Sequence, residues 1–160
     1  MDQKSTNIKL AVPVKFRQAD ETDVSFIFSS WLKSFKAHAG PIKSVVYYEY
    51  QHRKIVQLLQ RRFVTIACSP DDIEQIIGYM VHENINGVFV AHYAYVKNSF
   101  RKLGVLQPLM AELKASKGFC THLTSQKLAD KFNLIYNPYL TDLDSLDDAG
   151  ELPPNAEEVE

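Results

Sequence analysis

The chain has little of several things, and each shortage narrows its class. No apolar run approaches the length of a membrane span, so no bilayer-crossing helix and no membrane partner are expected. There are two cysteines, Cys68 and Cys120, far apart and in strand-like surroundings. They read as free buried thiols in a reducing compartment, which makes a cytoplasmic location the expectation. No Cys or His spacing fits a ligand set, so no metal is expected. The first residues, M-D-Q-K-S-T-N, lack the apolar stretch of a secretion signal. No internal repeat or low-complexity core is present. The last twenty residues hold no Lys, no Arg and no aromatic side chain.

What remains is ordinary globular composition with an uneven charge. The 160 residues are 46% hydrophobic and 23% charged, enough for one domain with a real core. Net charge is −1, yet residues 141–160 hold eight acids, which leaves 18 bases against 11 acids in residues 1–140. The reading is therefore a folded domain over 1–140 and an acidic tail over 141–160 that is expected to be disordered. A basic body suits an anionic ligand, either a phosphate-bearing cofactor or a nucleic acid. The H-R-K and Q-R-R clusters keep nucleic acid open as a partner, without an aromatic-interleaved RNA motif to support it.

Periodicity orders the elements. Val14 to Arg17 alternates like a strand. Asp20 and Asp23 are spaced to cap a helix that carries Val24, Ile27, Phe28, Trp31 and Phe35 at helical intervals. Gly40 and Pro41 end it. A second helix is predicted over Tyr48 to Arg62, then strands over Phe63 to Ala67 and Ile76 to His82. N-I-N-G reads as a hairpin-like turn into Val88 to Val96, a strand apolar on both faces and so central. A helix with Val105, Leu109, Met110 and Leu113 on one side follows and is ended by Gly118. A strand at Thr121 to Thr124, a helix at Gln126 to Lys131 and a strand at Leu134 to Tyr136 complete the order.

The segment V-K-N-S-F-R-K-L-G-V-L, Val96 to Leu106, joins the central strand to the next helix. Such a loop aims backbone N–H groups at one point, beside the charges of Arg101 and Lys102, and Gly104 permits close approach of a ligand. It resembles the acetyl-CoA loop of the GNAT (Gcn5-related N-acetyltransferase) superfamily, V-x-P-x-x-R-x-x-G-x-G/A. Val96, Arg101 and Gly104 stand in register, whereas Asn98 and Leu106 depart from the pattern. The β-α-α-β-β-β-α-β-α-β order over about residues 14–140 is also that of the superfamily, with the loop after the fourth strand.

The resemblance implies an α/β fold, a mixed, mostly antiparallel twisted sheet flanked by helices. It implies acetyl-CoA as co-substrate and an N-acyltransferase acting on an amine that the sequence does not identify, a small molecule or a protein. The pantetheine arm would pair with the backbone around Tyr95, Val96 and Lys97. The diphosphate would sit on amides from Arg101, Lys102, Leu103, Gly104, Val105 and Leu106. Glu83, at a predicted strand end, and His92, mid-strand, are the candidate bases, and proton loss through water is a third route. The tyrosine that the family carries on its last helix falls here at Phe132 or Asn133, and Tyr136 and Tyr139 are its nearest substitutes. The long cationic loop between the first two helices, with His38, Tyr47 and Tyr48, would wall the acceptor site and favours an acceptor of negative or aromatic character. A GNAT-fold module without catalysis, binding a protein or a nucleotide-like ligand, is the alternative.

Overall fold

A computed structural model describes residues 12–141 of the chain. The reading of 1–140 as the domain therefore holds its first eleven residues outside the described ones, and of the acidic tail only Thr141 lies within them. Strands β1 (Lys15–Gln18), β2 (Phe63–Cys68), β3 (Ile76–Ile85), β4 (Val88–Val96), β5 (Gly118–Cys120) and β6 (Leu134–Tyr136) form one sheet in sequence order. The first four are antiparallel, and β5 and β6 continue in parallel. Helices α1 (Val24–Phe35) and α2 (Ser44–Arg61) precede β2, α3 (Leu106–Glu112) follows β4, and α4 (Gln126–Lys131) lies between β5 and β6. The expected mixed, mostly antiparallel α/β architecture is the one present.

Local chemistry explains the entry into α1. The Asp20 carboxylate accepts from the Thr22 amide, and the Asp23 carboxylate accepts from the Asp20 amide, which closes a capping box. Asp23 also takes both ends of the Arg17 guanidinium, at 2.7 and 2.9 Å, so the helix start is pinned to β1. The Arg17 guanidinium holds the Asp23 carboxyl below the ordinary carboxylate range.

The sheet is covered on both faces. Ile27 and Trp31 of α1 pack with Ile55 and Leu58 of α2 over Tyr79, Val81 and Tyr93. Leu109 and Met110 of α3 and Ala129 of α4 pack over Met80, Phe89, Ala91 and Cys120 on the opposite face. Phe89, Ala91 and Tyr93 are all odd-numbered on one strand, yet Tyr93 faces the α1–α2 side. The register accounts for this. Val81 pairs with Tyr93 while His82 pairs with Ala91, so His92 is an extra residue, a β-bulge that shifts the alternation by one.

Several boundaries differ from expectation. Helix α2 starts at Ser44, four residues early, and Tyr47 is buried in it with its hydroxyl donating to the Leu32 carbonyl of α1. Strand β3 runs on to Ile85, and the turn is only Asn86–Gly87, with φ of 49° and 83°. Two left-handed residues are what a tight hairpin matched to strand twist needs. Finally β5 is Gly118–Cys120 rather than Thr121 to Thr124, and Gly118 is a strand residue instead of a helix stop. A Cβ on Gly118 would lie 2.1 Å from the Phe89 carbonyl oxygen, so only glycine lets β5 come alongside β4. Helix α3 ends earlier, where Lys114 turns left-handed at φ 53°.

Candidate functional site

The pairing of β4 with β5 stops at Ala91 opposite Cys120, with one more bond from the Thr121 amide to the Ala91 carbonyl at 3.0 Å. The bulge at His92 follows at once. A bulge strengthens local twist, and from Tyr93 onward β4 no longer pairs with β5. The Lys97 amide donates to the Ile77 carbonyl of β3 at 2.9 Å. By the alternation of an antiparallel ladder, the backbone groups of Ala94 and Val96 then point away from β3, into the gap that β5 leaves. Of the backbone expected to meet a pantetheine arm, that of Val96 faces the gap, whereas Lys97 and Tyr95 give theirs to β3.

A cleft of about 890 Å³ opens along this edge, between α1, the loop after β4, and α4. Lys33, Arg101, Lys102 and Lys131 line it, and none of its lining residues is acidic. Like charges converging from three separate elements give the cleft a positive field by simple superposition. Among the nine candidate cofactor residues, Tyr95, Val96, Arg101, Lys102, Gly104, Val105 and Leu106 line the cleft. Lys97 and Leu103 do not, and the Lys97 ammonium instead lies 5.1 Å over the Phe26 ring.

The loop is built from a single 3-10 turn, Asn98–Phe100, followed by left-handed Lys102 and Gly104 at φ 64° and 76°. Within the turn the Arg101 amide donates to the Asn98 carbonyl, at 3.3 Å. It is already engaged, so the loop donors that remain begin at Lys102. The Arg101 side chain folds back, its Nε donating to the Val96 carbonyl at 2.9 Å. Helix α3 has seven residues, so its dipole adds little, and the four cations carry most of the positive field. Val105 is fully buried, while Leu106 is half-buried, packed toward Met110 and forming part of the wall of the cleft.

The three catalytic candidates do not meet in the cleft. Glu83 is inside β3, ion-paired with Arg62, and lines none of the cavities described here, because the strand extends past it. This corrects the expectation of a carboxylate at a free strand end. His92 is fully buried; its Nε2 is 3.4 Å from Glu83 Oε2 and its Nδ1 is 3.0 Å from Thr121 Oγ1. It lines a small apolar cavity of about 60 Å³ between β4 and β5, together with Leu106, Cys120 and Phe132. Tyr136 is on the far side, 47% exposed, at the rim of a third cavity of about 500 Å³ between α2 and β6. Phe132 lines the cleft, as the resemblance places it, and brings no hydroxyl.

Sequence reasoning missed His122, which lines both the small cavity and the third one. Its Nδ1 is 3.0 Å from Thr121 Oγ1 and its Nε2 is 3.0 Å from Gln51 Nε2. The Gln51 amide donates, so His122 Nε2 is the acceptor and Nδ1 carries the proton. Thr121 then accepts from His122 and donates to His92 Nδ1, which leaves the His92 proton on Nε2, toward Glu83. One set of tautomers satisfies the hydrogen bonds from Gln51 to His92 Nδ1, and His92 Nε2 at the end of the line has no hydrogen-bond partner, only the 3.4 Å approach to Glu83. Burial holds both imidazoles neutral, each pushed down to about 3, with Arg62 adding to the effect at His92 and Lys54 at His122. The available sequence signal was a histidine inside a short predicted strand, Thr121 to Thr124. Lys33 and Lys131 were also missed, since each reads as a solvated helix residue until the fold brings them to one cleft.

No family model and no curated protein matches the sequence. Solved structures do. A possible acetyltransferase from Clostridium difficile 630 is 12% identical, with 92% of this chain and 97% of that chain covered at a TM-score of 0.50. The apo form of YjaB from Escherichia coli is 14% identical over 63% of this chain at a TM-score of 0.48; the chain spans 64% of its length, under two thirds. The PaiA N-acetyltransferase of Thermoplasma acidophilum, solved with coenzyme A, is 15% identical over 64% of this chain and 70% of its own, with a TM-score of 0.45. At such identities the likeness is one of fold, and over most of both chains that fold is the mixed α/β one of the possible acetyltransferase from Clostridium difficile 630.

Proposed function

We propose that this protein is an acetyl-CoA-dependent N-acyltransferase that moves an acetyl group to an amine. One observation carries the reading: β4 breaks from β5 at a bulge, and its free edge lines an all-cationic cleft on a GNAT fold. Lys33, Arg101 and Lys102 hold the phosphates, with loop amides from Lys102 onward. The backbone groups of Ala94 and Val96 pair with the pantetheine amides, which requires Arg101 to exchange its bond to the Val96 carbonyl for a phosphate oxygen. Bound acetyl-CoA supplies the activated acyl group and the thiolate leaving group. The cleft closes toward His92 and Phe132, where the thioester end is kept from bulk water.

The proton traffic follows from the burial of the imidazoles. A base pushed down to about 3 cannot hold a proton at neutral pH, so His92 and His122 orient the site and the amine loses its proton to water. Glu83 keeps Arg62 in place and lies beside His92 Nε2, whose proton the Thr121 contact at Nδ1 assigns. Phe132 offers no acid, so the departing sulfur relies on the Lys131 ammonium, which sits 5.5 Å over the Phe132 ring. The missing hydroxyl is also what favours the second reading, a CoA-binding module without turnover.

Calorimetry with acetyl-CoA, and thiol release from acetyl-CoA with a panel of amines, test the reading. Binding should raise the melting temperature. Failure to bind would overturn the cleft assignment, and binding without thiol release for any amine would favour the second reading.

A further inference from the structure

The third cavity carries a chemistry of its own. It lies between α2 and β6, about 500 Å³ in volume, and shares the His122 wall with the small cavity between β4 and β5. Its apolar side is aromatic: Phe35 from α1, Tyr50 from α2 and Tyr136 from β6. Its polar side is Gln51, Lys54 and His122, with His38 and Thr121. Gln51 and Lys54 stand three apart on one helix and so share a face. Gln51 is spent through Nε2 on His122, which leaves its carbonyl oxygen as an acceptor for an amine. Lys54 is half-buried and lies close enough to His122 to lower its proton affinity. Among the described residues Lys54 takes part in no ion pair or hydrogen bond, and no acid lines the cavity.

A site with a cation and no carboxylate repels polyamines and other cationic acceptors and attracts an anion. Among the described residues the Lys54 ammonium has no partner of its own, so its charge is open to an anionic group of a ligand. The aromatic walls take a ring or a branched apolar body. The amine acceptor, a carboxylate and an apolar body together describe one class of small molecule. We propose that this cavity binds a free hydrophobic α-amino acid, most favourably an aromatic one. Its carboxylate meets Lys54, its amine meets the Gln51 carbonyl oxygen, and its side chain lies against Tyr50, Phe35 and Tyr136. The inference rests on the acyltransferase reading for the step that follows. There the amine nitrogen forms a bond to the acyl carbon as the carbon–sulfur bond breaks. The amine proton goes to water, and the thiolate leaves with the electron pair.

Binding tests the site without requiring turnover. L-Phenylalanine, N-acetyl-L-phenylalanine, phenethylamine and spermidine are titrated by calorimetry into the full chain, with acetyl-CoA in parallel. L-Phenylalanine should bind at least about tenfold more tightly than phenethylamine, which lacks only the carboxylate, and spermidine should not bind. Lys54→Gln should reduce that preference to less than about threefold, and Lys54→Arg should keep most of it, with melting curves showing both variants folded. Phenethylamine or spermidine binding as well as L-phenylalanine, or a preference that survives Lys54→Gln, would overturn the inference. If acetyl-CoA binds and the amino-acid preference is absent, the inference falls and the transferase reading stands. If L-phenylalanine binds through Lys54 and acetyl-CoA does not, the amino-acid site stands and the transferase reading falls.

Discussion

Thr121 Oγ1 lies 3.0 Å from His92 Nδ1, and this contact ties the residue after β5 to the bulge of β4. The two strands are parting at this point, so the hydroxyl bridges the mouth of the opening. It also meets His122 Nδ1 at 3.0 Å, which makes one small side chain the partner of two buried rings.

Thr121→Val keeps the shape and removes the hydroxyl. Two buried imidazole nitrogens then lose their partner, and each unsatisfied group costs roughly 1–3 kcal/mol. Urea denaturation should show a loss in that range or somewhat above it. Thr121→Ser should recover most of it. A stability equal to wild type would show that the hydroxyl line contributes nothing.

Acid should weaken the fold well before the carboxylates titrate. Burial pushes His82 down to about 4, and His92 and His122 to about 3, whereas an unfolded histidine titrates near 6.5. Between those values the unfolded chain binds more protons than the folded one. Stability is therefore fully present above about pH 6.5 and falls as pH drops from there toward 3. With three such groups the slope approaches about 4 kcal/mol per pH unit at its steepest. Denaturation midpoints at pH 7.5 and pH 5 check the sign, and equal midpoints would show that the rings titrate freely.

Arg101 is exposed, and its charge serves the cleft more than the core. Arg101→Glu places a like charge beside the diphosphate, and the affinity for acetyl-CoA should fall at least about tenfold, near 1.4 kcal/mol. The melting temperature should hardly change, since the bond lost to the Val96 carbonyl is a solvated one. Calorimetry on both proteins decides, and unchanged affinity would remove Arg101 from the site.

Leu106 begins α3 and packs partly on Met110 while lining the cleft. Leu106→Gly loses that burial and adds backbone freedom in a helix, together about 1–3 kcal/mol. Affinity for acetyl-CoA should not improve. A gain of more than about tenfold with little loss of stability would identify the native leucine as a block on the diphosphate position.

The sequence by itself determined the order of the elements, because amphipathic periods, the Asp20–Asp23 cap and the Asn86–Gly87 turn are local signals. It also marked the loop after β4, whose spacing of Val96, Arg101 and Gly104 lies within nine residues. Tertiary structure decided the rest. V-F-V-A-H-Y-A-Y-V is apolar on both faces, so no alternation could show that His92 is an extra residue; that became visible only in the register against β3. Gly118 could not be told from a helix stop until Phe89 was found 2.1 Å from where its Cβ would be. Glu83 looked available until Arg62, the residue before β2 and opposite Glu83 in the register, was placed against it. Lys33, Lys131 and Lys54 are surface lysines in sequence, and they acquire meaning through convergence. Charge and hydrogen bonding act through space, and the distance in space between residues a hundred positions apart is set by packing of the whole sheet.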